Sequence, residues 1–429
     1  MIWVYRLLFL PVLLLATPYY LWRMRRRGGY TENFGQRFGG TDPLPPRQPG
    51  VHRIWLQAVS VGEMLAIAPL LEAFHREGHT EVYLTTTTST GYKLARDKYR
   101  ALTIGIGYFP LDFWVFSARA WRQVRPDLSI LMEGERWPEH VHQAQAHGVP
   151  VISVNARLSD RSFRRSMQFN TLLRPLSRGL TQVLCSSKRD EQRFKALGFE
   201  PERLQTTGNL KLDVHIPLLA DPEKMVLRHE LGLGRGLVLL GSSTWAGEEV
   251  ALITALKAAR ERGLKVSLLL VPRHAERREE LRTLLEKSGF TFHFRSEGKA
   301  PGEVDVAVGD TTGELRKFTQ FADLVFVGKS LAPHEGGQTP VEAAVLGKPL
   351  LHGPRMTNFR EIIRTLTEAG AVRKVETHSE LIAAVVELLQ DSAQREKLAI
   401  AAKAWHEENR GAAERTLAVI RTQLATLRL

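Results

Sequence analysis

The feature that most constrains this chain is an alternation that runs through it twice. Short apolar runs rich in β-branched residues recur at 54–59, 82–86, 128–132, 151–154 and 182–185, and helical spacing fills the gaps, as at 64–75, 138–147 and 188–197. After a polar, weakly patterned stretch the alternation restarts, with runs at 237–240, 266–271, 304–308, 324–327 and 349–352. Apolar runs bounded by turn signals and separated by helices specify parallel sheets covered by helices. Two such series predict two Rossmann-like α/β domains in tandem, and 429 residues suffice for two buried cores. The expected division is 28–215 for the first domain and 216–429 for the second, with 1–27 outside both.

That leading segment is apolar from Ile2 to Trp22 apart from Arg6 and a few hydroxyls. As a helix it reaches roughly 30 Å, the thickness of a bilayer core. Arg23, Arg25, Arg26 and Arg27 follow it, which predicts a membrane anchor with the bulk of the chain on the cytoplasmic side. A cleaved signal peptide would carry its charge ahead of the apolar run and a small-residue site behind it. Arg6, near one end, is placed to snorkel. Pro11 and Pro18 keep a helix lying in the interface open beside a spanning one. The chain has 59 Lys and Arg against 46 Asp and Glu, a net charge of +13. The concentration of arginine at the anchor points to an anionic membrane surface, and no nucleic-acid-binding motif accompanies the charge, so no nucleic acid partner is expected. The one cysteine, Cys185, excludes an intramolecular disulfide and reads as a buried strand residue.

Sheets of this kind bind ligands beyond the carboxyl ends of their strands, and two in tandem leave a cleft there. The turns after the strands therefore carry the candidates. After the first comes Ser60-Val61-Gly62-Glu63. Glu63 has two readings: a carboxylate favoured at a helix N-terminus, or a general base. The hydroxyl-rich turn at 85–91 reads as a helix cap before an anion site. Glu133 and Glu135 share a face of an extended stretch, where salt bridges to a nearby arginine are the simpler account. Arg157, Arg161 and Arg164 form either a solvated basic face or a grip for phosphates and carboxylates. In the second half, Gly241, Ser242, Ser243 and Thr244 read as a turn after the run 237–240. Arg273 ends the run 266–271, and Gly313 and Glu314 follow the run 304–308. Gly336, Gly337, Gln338 and Thr339 lie in a long loop leading to Glu342. Glycine, arginine and hydroxyls at consecutive strand ends suit an anionic, nucleotide-like ligand. No Walker A, GxGxxG, HExxH or CxxC pattern occurs, so neither a metal nor a cofactor is expected.

The ordered set of these segments resembles the bacterial 3-deoxy-D-manno-octulosonic acid (Kdo) transferases. The likeness runs over nearly the whole chain. It comprises Gln36-Arg37-Phe38-Gly39, Ala58-Val59-Ser60-Val61-Gly62-Glu63, Met132-Glu133-Gly134-Glu135-Arg136-Trp137-Pro138, Asn155-Ala156-Arg157-Leu158-Ser159, Thr207-Gly208-Asn209-Leu210-Lys211, Pro272-Arg273-His274 and Gly313-Glu314-Leu315. The resemblance implies a GT-B fold and a metal-independent, inverting transfer of Kdo from CMP-Kdo to a lipid A precursor in lipopolysaccharide synthesis. It also implies a location at the cytoplasmic face of the inner membrane. Under it Glu63 is the base. Arg273 and Gly241–Thr244 stabilise the departing CMP, and Gly313, Glu314, Gly336, Gly337, Gln338 and Thr339 complete the donor site. Glu342 accepts hydrogen bonds from the ribose. Arg157, Arg161 and Arg164 meet the Kdo carboxylate or lipid A phosphates. One segment departs. The family carries Gly-Gly-His-Asn before Leu-Glu-Pro, whereas this chain has Gly336-Gly337-Gln338-Thr339, Pro340, then Val341-Glu342-Ala343. This leaves as alternatives a GT-B transferase using another nucleotide sugar on a lipid acceptor, or an inactive, membrane-tethered protein that binds anionic lipid.

Overall fold

The structure is a computed structural model and describes residues 2–26, 32–168, 179–214 and 216–427. The chain divides into two compact units, Met1–Asp213 with Asn409–Leu429, and Val214–Glu408.

Among the described residues the first unit holds a parallel sheet of β1 (His52–Gln57), β2 (Thr80–Thr86), β3 (Gly105–Tyr108), β4 (Leu128–Met132), β5 (Val151–Ala156), β6 (Gln182–Cys185) and β7 (Leu204–Thr206), in the order β3-β2-β1-β4-β5-β6-β7. The second unit repeats the plan with β8 (Leu237–Thr244), β9 (Val266–Pro272), β10 (Phe292–Phe294), β11 (Val306–Val308), β12 (Leu324–Val327), β13 (Leu350–His352) and β14 (Val372–Lys374), ordered β10-β11-β9-β8-β12-β13-β14. Every pairing is parallel. The order reverses direction between β1 and β4, and again between β8 and β12. These switch points are where adjacent crossovers leave to opposite faces and open a crevice at the strand ends.

The central strands are apolar because both faces are covered. In β1, Ile54 and Leu56 pack with Leu70, Leu71 and Phe74 on one face, while Trp55 packs with Phe109, Trp121 and Leu131 on the other. Cys185 lies in that second cluster, and burial, reinforced by Asp190 and Glu191, pushes its thiol up to about 12. His140 is buried against Trp55, Phe109 and Trp121, bonded to Trp121 Nε1 and the Ser129 hydroxyl; burial brings it down to about 3, so it is neutral and structural.

The end of the chain departs from the expected division. The helix Ala412–Ala425 belongs to the first unit, not the second. Leu417, Ile420 and Leu424 join the cluster of Leu70, Leu71 and Phe74. Asp213 accepts the N–H of Gly411 at 2.6 Å and that of Ala413, capping the helix, and Arg415 Nε donates to the Thr207 carbonyl at 2.8 Å. Alanine and leucine at helical spacing announce an apolar face but not which core receives it.

Ile2–Arg26 forms a helix, and among the described residues it holds the one span long and apolar enough to cross a membrane. Arg6 does not snorkel: its Nε and Nη2 each donate to the Glu139 carboxylate at 2.8 Å. Arg27, counted with the anchor's basic cluster, lies outside the described residues.

Candidate active site

At the first switch point, β1 ends at Gln57 and Ser60 caps the short helix Val61–Ala66. Ser60 Oγ accepts the Glu63 N–H at 3.3 Å and donates to Glu63 Oε1 at 3.0 Å, while Glu63 Oε2 accepts the Val59 N–H at 2.8 Å. This reciprocal capping holds Glu63 in one orientation. The residue is 6% exposed. Burial raises its pKa and the Glu133 carboxylate raises it further, against the Val59 N–H, Ser60 and Lys211, which lower it. The balance is upward, which makes Glu63 a stronger base than an exposed glutamate.

Three other segments converge on the same place. After β4, Glu133 takes a left-handed φ of 55° and pairs with Arg157 at 2.8 Å and Lys211 Nζ at 2.6 Å. Glu135 is pushed up to about 7, first by burial and then by Glu63 and Glu133. Lys211 is set by the turn before it: Asn209 Oδ1 accepts its N–H at 3.0 Å, and Asn155 Oδ1 accepts the Leu210 N–H at 3.1 Å. Asn155 (φ 54°) and Trp137 (φ 23°) also adopt positive φ. Strained backbone clustered at strand ends is a mark of functional sites. The salt-bridge expectation is met at Glu133, with Arg157 and Lys211 as partners, but the stretch is a turn rather than extended, and among the described residues Glu135 has no ion pair. Arg161 and Arg164 are exposed on the helix Asp160–Gln168. The hydroxyl turn after β2 is a cap, with Thr88 Oγ1 accepting the Gly91 N–H at 3.1 Å.

In the second unit one expectation is corrected. Gly241–Thr244 is not a turn: β8 runs on to Thr244, with a bulge at Ser243 (φ 54°) between the β9 partners of Ser242 and Thr244. Hydroxyl residues can continue a central strand when neighbours on both sides supply its ladder. Gly241 serves packing, because a Cβ there would meet Leu252 Cδ1 at 2.7 Å. Gly328, just past β12, lets that chain approach β8, where a Cβ would sit 2.4 Å from the Ser243 carbonyl oxygen. The strand-end turn is Trp245–Gly247. Trp245 lies between His274 and His334, each ring 5.2 Å away, and Lys329 Nζ stands 4.5 Å from its centroid. Glu248, fully buried, joins the two strand ends. It accepts the N–H of Trp245 (3.0 Å), Lys329 (2.9 Å), Ser330 (2.9 Å) and Leu331 (3.2 Å).

The other candidates fall into distinct surroundings. Arg273 is exposed, and among the described residues its guanidinium has no acidic partner. Glu314, after Gly313 (φ 89°), pairs with Arg295 at 3.3 Å and accepts from Thr311 Oγ1; these bonds lower its pKa despite partial burial. Gly336 (φ 114°) and Gly337 (φ 73°) pack on the following segment: a Cβ would meet Asn358 Nδ2 at 2.7 Å and Met356 Sδ at 2.3 Å. Their N–H groups go to Arg355 and Lys329 carbonyls, and that of Gln338 to Gly328. The glycines therefore shape the loop rather than offer free donors. Pro340 precedes the five-residue helix Val341–Val345 as its cap, and Glu342 accepts from Thr339 Oγ1 at 2.9 Å with Arg316 at 3.5 Å.

Residues 32–214 match the family model described as 3-Deoxy-D-manno-octulosonic-acid transferase (kdotransferase). A 3-deoxy-D-manno-octulosonic acid transferase of Bordetella pertussis is 34% identical over 421 residues, covering 94% of this chain and 95% of the relative. The chain belongs to the Kdo transferase family. A second transferase of that name, from Haemophilus influenzae, is 32% identical, covering 97% of this chain and 95% of its own. Among solved structures, a putative UDP-N-acetylglucosamine 2-epimerase from Listeria monocytogenes superposes with a TM-score of 0.60 at 16% identity, covering 88% of this chain and 98% of that one. That likeness concerns the fold, which is GT-B.

In this Kdo transferase the segment Thr207–Lys211 carries no local sign of the role of Lys211. The ion pair that gives it one crosses 78 residues to Glu133. Glu248, in the first turn of the helix Glu248–Glu261, carries no local signal of its role. Its partners lie 81 to 83 residues away in the β12 loop, beyond any local spacing.

Proposed function

We propose that this glycosyltransferase moves Kdo from CMP-Kdo to a hydroxyl of a lipid A precursor, with inversion, at the cytoplasmic face of the inner membrane. Beside the family membership, one observation carries the reading: Glu63, oriented by its cap and held above the usual carboxylate range, stands in the first turn of the helix that follows β1 at the first switch point. In the reaction the acceptor oxygen attacks the anomeric carbon of Kdo on the face opposite the phosphate. The bond from that carbon to the phosphate oxygen breaks, CMP departs with the electron pair, and the acceptor proton passes to Glu63. Negative charge grows on the phosphate, and a guanidinium meets such charge bidentately, the role assigned to Arg273. Ser242 and Ser243 lie one strand away from Arg273 at the end of β8. Glu314 and the loop Gly336–Thr339 frame the nucleotide, and Arg161 and Arg164 face acceptor phosphates. The test is incubation of the purified chain with CMP-Kdo and lipid A precursor followed by mass spectrometry of the lipid. A mass gain of one or more Kdo units is expected; an unchanged lipid with hydrolysed donor overturns the acceptor assignment.

The nucleotide is tested separately. Glu342 can accept both ribose hydroxyls, exchanging its contacts with Thr339 and Arg316 for them. Glu342→Ala is expected to weaken CMP binding by roughly 10-fold or more, the scale of a charge-assisted pair. Calorimetry with CMP, UMP and GMP reads this. Equal CMP affinity in the two proteins removes the ribose role, and tighter UMP or GMP binding points to another nucleotide sugar.

A further inference from the structure

The N-terminal helix is held to the first unit by its first turns. Tyr5 Oη donates to the Asp112 carboxylate at 2.7 Å, Arg6 forks onto Glu139, and Phe9 stacks on Phe113 with centroids 5.6 Å apart. The two acids are buried, Asp112 at 3% and Glu139 at 0% exposure. Asp112 also accepts the backbone N–H of Glu139 and His140, so it caps the helix Pro138–Ala146 against which the N-terminal helix lies. Releasing Arg6 would leave Glu139, among the described residues, a buried carboxylate bonded only by Gln143, a costly state. Ile2, Tyr5, Phe9 and Leu13, at i, i+3 and i+4 spacing, form the half-buried stripe; Leu7, Leu8, Leu14 and Leu15 are exposed.

The other end of the helix is also tied to this unit. Soon after Arg26 the chain is held again, with Glu32 paired to Arg96, Asn33 Nδ2 donating to Tyr92 Oη at 2.7 Å, and Phe38 against Phe116. A spanning helix has ends on opposite faces of the bilayer, roughly 30 Å apart. With its carboxyl end leading into the unit, such a helix would carry Tyr5 and Arg6 to the far side, away from Asp112 and Glu139. Spanning and the observed contacts exclude each other.

We propose that the Ile2–Arg26 helix binds the bilayer lying in the plane of the interface, clamped to the first unit through Tyr5–Asp112 and Arg6–Glu139, and does not cross it. A helix apolar all round is covered on all sides. Here protein covers one stripe and acyl chains the rest. Trp114, half-exposed with its ring centroid 5.5 Å from the Arg6 guanidinium, and half-exposed Val115 after it in the helix Trp114–Val124, extend the same lipid-facing surface. The chain before Glu32 contains no acid, and Arg23, Arg25, Arg26 and Arg27 suit anionic headgroups.

The proposal rests on the membrane part of the reading above, and the experiment separates the two. The full chain carries a cleavable protease site ahead of Met1 and, as an orientation control, a second site after Leu429. It is examined in sealed inverted membrane vesicles, with the globular units outward. Cleavage at both sites is expected from outside, unchanged by detergent. An N-terminal site cut only after detergent, with the control cut throughout, overturns the in-plane helix while leaving membrane binding intact. A chain that fails to sediment with the vesicles overturns both.

Discussion

Glu63→Gln should fold normally, bind CMP as wild type does, and lose about 100-fold or more in kcat, the scale of general-base removal. The substitution is chosen for its neutrality to structure. Gln keeps an acceptor for the Val59 N–H and a partner for Ser60, so the cap of Val61–Ala66 survives. What disappears is the ability to take a proton. A pH profile provides the second reading. The base must be ionised, so kcat/KM falls as pH drops through the Glu63 pKa, and burial with the Glu133 charge sets that limb above the ordinary carboxylate range. Lys211→Met removes the charge that lowers the Glu63 pKa and also uncovers Glu133, which raises it. Both move the acidic limb to higher pH. Glu135 titrates nearby, at about 7, so Glu135→Gln is the control that assigns the limb. Near-wild-type turnover in Glu63→Gln, or a limb unmoved in Lys211→Met, would take Glu63 out of the reaction.

The fold was legible wherever burial wrote itself into local pattern. Runs such as 128–132 and 182–185 coincide with β4 and β6 because central parallel strands must be apolar on both faces. The strands β3, β7, β10 and β14 escaped because all four lie at sheet edges, where burial no longer demands an unbroken apolar run: no residue of β7 is buried, and in β14 only Val372 is. The site was half legible. Glu63 and Glu133 follow β1 and β4, and their place after apolar runs makes them visible in the sequence. Their coupling to Lys211 needs the folded sheet, which brings β1, β4 and β5 side by side. The Ser243 bulge misled for a related reason: hydroxyls and glycine read as a turn, while the β9 and β12 ladders on either side keep the segment in the sheet.

Glu248→Ala should destabilise the second unit more than any change to a ligand-facing residue. The carboxylate is fully buried and receives four backbone N–H groups from two strand-end loops. Burial pushes its pKa up while those four bonds oppose the rise. With each oxygen already accepting two N–H hydrogens, no proton is needed to satisfy it. Removing it leaves several buried donors unpaired at once. Each costs about 1–3 kcal/mol, and neighbours do not add fully, so a total near 3–5 kcal/mol is expected. For a unit of this size about 2–4 °C accompany each kcal/mol, which places the loss in Tm near 10 °C. Differential scanning calorimetry reads it as a shift in the transition of the second unit. Gln is the discriminating partner variant. It keeps the shape and one acceptor but turns an amide N–H₂ toward backbone donors, so about half the loss should remain. CMP affinity should fall in Glu248→Gln at a temperature where the unit is folded, because the Lys329–Leu331 segment is no longer pinned to the Trp245 turn. If Glu248→Ala melts with the wild type, the four bonds do not hold the β8 and β12 ends together. If Glu248→Gln is destabilised yet binds CMP unchanged, the β12 loop is not part of the nucleotide site.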